Sequence, residues 1–217
     1  METILSYFDT IISLVLPKDT EVRRIEKMSP ETFLASIATA EIIFGVPCHT
    51  IFAYRDPLMK VAMWEIKYHH NKAITRTIAQ ILSDHILAEL GEDISSRHDH
   101  FLLVPIPRSA ESVREYGYDQ CKEIAKYATA HLDKNAFTLQ TNALTRVRET
   151  QRQSTIKNRR ERLANMHENF IASPQSIADK HIILFDDVIT TGATLSAAAK
   201  ALQKAGAKSV TCFAIAH

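Results

Sequence analysis

"IILFDDVITTGAT", residues 182–194, sets two adjacent aspartates at the end of an apolar run and three threonines around a single glycine. Adjacent like charges repel, and burying either without a partner is costly. The arrangement therefore predicts a favourable partner outside the polypeptide. The flanking residues supply the frame. "HIILFDD" (181–187) reads as a buried strand, "ATLSAAAKALQKAG" (193–206) as a helix closed by Gly206, and "SVTCFAIAH" (209–217) as a terminal strand. Strand, helix and strand in about 36 residues form a βαβ unit, which implies a parallel sheet and a right-handed crossover.

In such a unit the ligand site lies beyond the carboxyl ends of the strands. Asp186 and Asp187 fall there, and the helix that follows points its unpaired N–H groups and positive dipole end the same way. Thr190, Thr191 and Thr194 add hydroxyl donors, and Gly192 lets the backbone approach closely, a cradle suited to phosphate. The aspartates would repel a phosphate beside them but suit the vicinal hydroxyls of a sugar, or a bridging metal ion, a little further off. The joint reading is a sugar phosphate. GxxxxGK[ST] and GxGxxG are both absent, so this is neither a P-loop nor a dinucleotide fingerprint. A plain capped turn, with Asp187 and Thr191 as turn formers, does not require two acids and three hydroxyls together.

Outward from this unit the chain reads as follows. Residues 2–16 have the spacing of an amphipathic helix ended by Pro17, packed on the body of the protein or forming a dimer interface. Ser29-Pro30-Glu31 predicts an N-cap and a short helix to about Glu41. Residues 57–70 and 72–90 are helical in period, with Gly91 as a stop, and Trp64, Met59 and Met63 are expected in the core. "FLLVPIP" (101–107) is a buried strand running into a loop constrained by prolines, and 119–131 is a helix.

The 217 residues are 46% hydrophobic and 24% charged with a formal net charge of +1, which gives no global drive toward nucleic acid or membrane. Cys48, Cys121 and Cys212 are isolated, so neither a cysteine-rich zinc module nor a disulfide framework is expected, and a reducing cytoplasm is. Cys121 and Cys212 read as small buried hydrophobes. No run approaches the roughly 18 apolar residues of a spanning helix, so membrane insertion is not expected. Among ten histidines the clusters are His69-His70 and His98-Asp99-His100, spacings that do not share a helix face; both read as loop or solvated edge. Between Arg146 and Arg162 lie seven basic residues and two acids, which suits a lid over a pyrophosphate, a nucleic-acid contact or a solvated face.

The 182–194 stretch resembles the signature of type I phosphoribosyltransferases, which bind phosphoribosyl pyrophosphate. "MWEIKYHHNK" (63–72), "VPIPRSAESVREYGYDQ" (104–120) and "LTRVRETQRQSTIKNRRERLANMHENF" (144–170) follow, in order, the pattern of the ComF-type family. The resemblance covers roughly residues 46–217. It implies an α/β fold of type I phosphoribosyltransferase kind, a mainly parallel central sheet flanked by helices, with residues 1–45 as a helical N-terminal extension.

By resemblance, Asp186 and Asp187 hold the ribose hydroxyls. Thr190, Thr191, Gly192, Ala193 and Thr194 hold the 5-phosphate. Arg108 and Ser109, in the loop from Pro105, contact the pyrophosphate with Lys67, while Arg146 and Arg148 belong to a catalytic lid. His69 or His70 lies within reach of the same group. Mg2+ is implied between pyrophosphate and sugar, near Asp186 and Asp187 through hydroxyls or water, and no zinc is expected. The acceptor is a nitrogenous group the sequence does not name.

The chain departs from the family in two places. The usual cysteine-rich zinc segment is absent from residues 1–45, and the family's RGFNQ reads Tyr116-Gly117-Tyr118-Asp119-Gln120, with Arg114 two residues before it. A non-catalytic ligand sensor or a DNA-uptake factor that binds single strands is the alternative on the same fold. A homodimer is compatible with either.

Overall fold

The computed structural model describes residues 18–37, 48–97, 100–109, 113–114, 117–146 and 170–217. The helix read over residues 2–16, the helix beyond Ile37, His98-Asp99 and all of the basic stretch except Arg146 lie outside them. Five strands form the central sheet in the order β1-β7-β6-β2-β3, every neighbouring pair parallel. They are β1 (Cys48–Phe52), β2 (Phe101–Pro105), β3 (Phe137–Leu139), β6 (His181–Val188) and β7 (Ser209–Ala216). A separate antiparallel pair joins β4 (Leu144–Arg146) to β5 (Phe170–Ala172).

Alternation along each central strand sorts the core into two. Phe101 and Leu103, Ile183 and Phe185, and Phe213 and Ile215 point to one face of the sheet. Leu102 and Val104, Ile182 and Leu184, and Cys212 and Ala214 point to the other. Strands buried on both faces read as continuous apolar runs, which is why "FLLVP" and "HIILF" were legible as strands.

The first face is covered by α1 (Lys18–Glu26), α2 (Pro30–Ser36), α3 (Pro57–His69), α4 (Lys72–Arg97) and α5 (Gln120–Thr129). Ile25 and Phe33 from the N-terminal pair are fully buried there, and Phe33 meets Phe52 of β1 edge-on at 5.6 Å. The second face is covered by α7 (Ala193–Lys204), β5 and the short α6 (Pro174–Ile177).

Local chemistry sets the helix starts. Ser29 Oγ accepts the Thr32 N–H at 3.3 Å with Pro30 opening α2, and Asp56 Oδ1 accepts the Leu58 N–H at 2.8 Å with Pro57 opening α3. α7 ends before Gly206, whose φ of 92° only glycine adopts easily.

Several boundaries differ from the sequence reading. α4 runs through Gly91 to Arg97, because a lone glycine in a long helix costs only about 1 kcal/mol and need not end it. α5 begins at Gln120 and ends at Thr129, with Asp119 outside as its N-cap. α1, β1, β3, β4, β5 and α6 are short and were not read at all. β1 hides because its five residues, CHTIF, include two polar ones on a sheet edge.

Candidate functional site

β6 extends to Val188, one residue past the strand read from the sequence, so the aspartates are rungs near its carboxyl end. Asp186 lies opposite Ala214 and Val188 opposite Ala216 of β7. On its other side β6 pairs with β2 up to Phe185 opposite Pro105, and the Ile106 N–H donates to the Phe185 carbonyl at 2.8 Å. Parallel pairing thus brings the Pro105–Ser109 loop and the aspartates to the same carboxyl edge of the sheet.

The carboxylates are used locally as well as charged. Asp186 Oδ1 accepts the Asp187 N–H at 3.0 Å, and Asp187 Oδ1 accepts the Val188 N–H at 2.8 Å. Burial first, and repulsion from Asp187 second, hold the Asp186 carboxyl well above the usual carboxylate range. Two full negative charges side by side are thus disfavoured at this edge unless a compensating group is present. A sugar hydroxyl or a hard cation would relieve the conflict from outside the chain.

Beyond Val188 the chain turns into α7. Thr190, Thr191, Ala193 and Thr194 are exposed and Gly192 is buried. Gly192 takes the N-cap position at φ 69°, ψ 0°, the left-handed region that costs a Cβ-bearing residue roughly 1–2 kcal/mol. The Thr191 Oγ1 accepts the Ala193 N–H at 3.4 Å, and α7's own ladder begins with Ser196 N–H to the Gly192 carbonyl at 2.9 Å. The turn joins a left-handed glycine, a positive helix end and three exposed threonine hydroxyls, a set of donors that fits an anion.

Cys121 does more than the sequence reading assigned to it. It is buried, as expected of a small hydrophobe, but its Sγ donates to Asp186 Oδ1 at 3.6 Å. Cys121, Asp186 and Asp187 each place a ligating atom within 4.8 Å of the others. Burial and then the two aspartates push its thiol well above the ordinary range, while the Arg108 guanidinium pulls the other way, so Arg108 shares this neighbourhood. Gln120 beside it is 2% exposed, and its Oε1 has no hydrogen-bond partner among the described residues. The available signal was their place directly after Asp119 in a recognised motif. Cys48 is linked to the site as well: burial and then Asp186 push its thiol up to about 12.

Asp119, a departure from the family's asparagine, accepts the Lys122 N–H at 3.1 Å and caps α5. Tyr118 is half-buried and stacks on His70 at 4.2 Å. His70 itself closes α3 in the left-handed conformation, at φ 52°. Lys67 lies on α3 with its Nζ 4.7 Å from the Tyr68 ring centre. Arg146 is exposed on β4, over the Phe170 ring at 5.7 Å, and so belongs to the separate two-stranded pair. Ser109 is half-buried in the loop after β2, and Arg148 lies outside the described residues. Met59 and Met63 are core residues, while Trp64 is half-buried over His69 at 4.4 Å.

The structure adds a histidine cluster that sequence spacing does not show. His49, His85 and Glu89 place ligating atoms within 4.8 Å of one another. His49 and His85 stand too far apart in sequence for any local spacing rule to pair them.

Comparison with known proteins agrees with the geometry. The pattern described as "Phosphoribosyl transferase domain" matches residues 124–217. Competence protein ComFC of Streptococcus pneumoniae is 31% identical over 79% of this chain and 68% of its own length. Competence protein ComFC of Bacillus subtilis is 38% identical over 76% of this chain and 62% of its own. Competence protein F of Haemophilus influenzae is 28% identical over 76% and 69%.

Among solved structures, a hypoxanthine phosphoribosyltransferase from Staphylococcus aureus aligns at a TM-score of 0.36 and 15% identity, over 64% of this chain and 61% of that one. The Trypanosoma cruzi enzyme of the same name aligns at 0.39 and 11%, over 64% and 65%. Scores this low carry no argument about substrate.

Proposed function

We infer function from a premise the relatives establish: the chain belongs to the ComF-type family of competence proteins, and it carries a phosphoribosyl transferase domain. We propose that it binds phosphoribosyl pyrophosphate and transfers the ribose phosphate to a nitrogenous acceptor, releasing pyrophosphate. The observation that carries this reading is the pairing of Asp186 and Asp187 on the end of β6 with an anion-fitting turn into α7. The two halves of that arrangement ask for different chemistry, hydroxyls on one side and phosphate on the other, and a sugar phosphate supplies both.

In this reading the Asp186 and Asp187 carboxylates accept hydrogen bonds from the ribose hydroxyls, and the N–H groups of the 190–194 turn hold the 5-phosphate. Fixing the ribose at both ends aligns its anomeric carbon with the acceptor, which is the positioning part of catalysis. As the bond to pyrophosphate lengthens, positive charge grows on the ring and negative charge on the departing oxygens. Arg108 and Ser109, on the same edge, meet the latter, with Lys67, Arg146 and Arg148 assigned to the same group. Two hard oxygen donors in mutual repulsion fit Mg2+, directly or through water, and the ion would neutralise charge on the pyrophosphate. The names of the relatives favour a second reading, a competence-linked protein whose basic 146–162 stretch contacts single-stranded DNA.

Calorimetric titration with phosphoribosyl pyrophosphate, with and without Mg2+, decides the first reading. Saturable Mg2+-dependent binding is expected, and its loss in Asp186→Asn/Asp187→Asn. No binding in the wild type sinks it. Arg148→Ala then separates lid from DNA surface: slowed turnover with binding intact marks a lid. Weaker single-strand binding, with a salt slope smaller by about 0.7, marks a DNA contact.

A further inference from the structure

β1 and α4 bring together three side chains that no local motif connects. His85 and Glu89 lie four residues apart on α4, so they share one helix face. His49 reaches them from the strand, with its Nδ1 3.2 Å from a Glu89 carboxylate oxygen. The His49 and Glu89 side chains keep 27% and 35% of their exposure, and His85 is half-buried. Solvent therefore reaches the cluster without flooding it.

One buried ring orients both imidazoles. Phe213 of β7 is fully buried and stands directly across from His49 in the parallel register. Its ring stacks on His49 at 4.9 Å and meets His85 edge-on at 5.9 Å. These ring contacts limit how far either imidazole can turn.

We propose that His49, His85 and Glu89 bind a divalent transition-metal ion of zinc type, with a fourth position left to solvent. Two imidazole nitrogens and one carboxylate suit zinc rather than magnesium or calcium, which take oxygen donors. Tetrahedral bonds of about 2.0–2.2 Å put ligand atoms about 3.3–3.6 Å apart. The His49–Glu89 pair already has nearly that separation, and all three ligating atoms lie within 4.8 Å of one another. His85 also lines an apolar cleft with Leu34, Asp84 and Ala88, while the partly exposed His49 and Glu89 open the cluster to solvent. The ion would pin the edge strand β1 to α4.

The test uses the metal-stripped full chain, titrated with Zn2+ by calorimetry and with Co2+ by visible absorption. Zn2+ binding with a one-ion component is expected, weakened more than about 100-fold by His49→Ala or His85→Ala, since even losing an outer-shell partner costs 10–100-fold. Glu89→Gln keeps an acceptor for the His49 ring while removing the charge, and should weaken binding at least about tenfold. If either alanine variant fails to fold, Glu89→Gln decides alone, provided its metal-free melting matches the wild type. The cobalt spectrum should show ligand-field bands without a thiolate charge-transfer band, and Asp186→Asn/Asp187→Asn should leave both signals intact. No saturable Zn2+ binding, binding indifferent to Glu89→Gln, or loss in the aspartate variant would each overturn the proposal.

Discussion

The two faces of the central sheet are built to different plans. Five helices from the first 129 residues cover one face, and its core is aromatic: Phe33, Phe52, Phe101, Phe137, Phe185 and Phe213. The other face is closed by one alanine-rich helix, α7, with β5 and α6, and Phe170 is its only phenylalanine among the described residues. Ala197, Ala198 and Ala199 of α7 are buried against that face with small side chains only. Stability should therefore come mainly from the thick face, whereas the proposed sugar-phosphate site sits at the carboxyl edge of the sheet, where the β6–α7 turn meets Cys121 of α5.

Phe33→Ala puts that division to its hardest test. The side chain is fully buried against Phe52, far along the chain from the aspartates. Truncation should cost about 3–5 kcal/mol in denaturant unfolding. Affinity for phosphoribosyl pyrophosphate, measured where the variant is still folded, should stay within a factor of two or so of the wild type. A parallel collapse of affinity would show that the N-terminal helices shape the site rather than merely cover the sheet.

Asp186→Asn should act with the opposite sign. The folded protein holds the Asp186 carboxyl well above its ordinary range, by burial and by Asp187, so the folded state binds a proton more tightly than the unfolded chain. Stability of the wild type then falls as pH rises from the ordinary carboxylate range toward the raised value, by up to about 1.4 kcal/mol per pH unit. Asparagine at this position carries no such penalty. The variant should match the wild type at acid pH and become the more stable of the two as pH rises, while losing sugar-phosphate binding. Thermal melts across pH check the first part and calorimetry the second. Equal pH slopes in the two proteins would mean that Asp186 is not the strained group.

The same division explains what was legible in the sequence. On the thin face, the strand, the aspartates, the turn and α7 are contiguous, so one stretch of 25 residues, 182–206, carries pattern, punctuation and chemistry together. On the thick face α2 to α5 are readable from their caps and periods while the short α1 is not, and the end of α4 beyond Gly91 is not marked in the sequence. β1 escaped because an edge strand of five residues with two polar members has too little alternation to stand out. Cys121 was judged by its apolar neighbours, and only tertiary packing puts it on Asp186. His49, His85 and Glu89 meet because parallel pairing sets β1 beside β7 and α4 packs across them, a relation between distant segments that spacing does not encode. The expectation of no zinc rested on the cysteines and on local histidine spacing, neither of which registers contacts between distant segments.

Asp119 tests the boundary between the two plans with the smallest effect. It stands where the family has asparagine, its side chain caps α5 through the Lys122 N–H, and its charge adds to the field that keeps the Cys121 thiol protonated. Asparagine and aspartate cap helices about equally well, whereas alanine does not. Asp119→Asn should therefore change stability by no more than about 0.5 kcal/mol, and Asp119→Ala should cost about 1 kcal/mol. If capping is the whole role, phosphoribosyl pyrophosphate affinity is the same in the wild type and the asparagine variant. If affinity differs while stability does not, the negative charge acts on the ligand. The substitution of aspartate for the family's amide would then be a change in the site rather than in the scaffold.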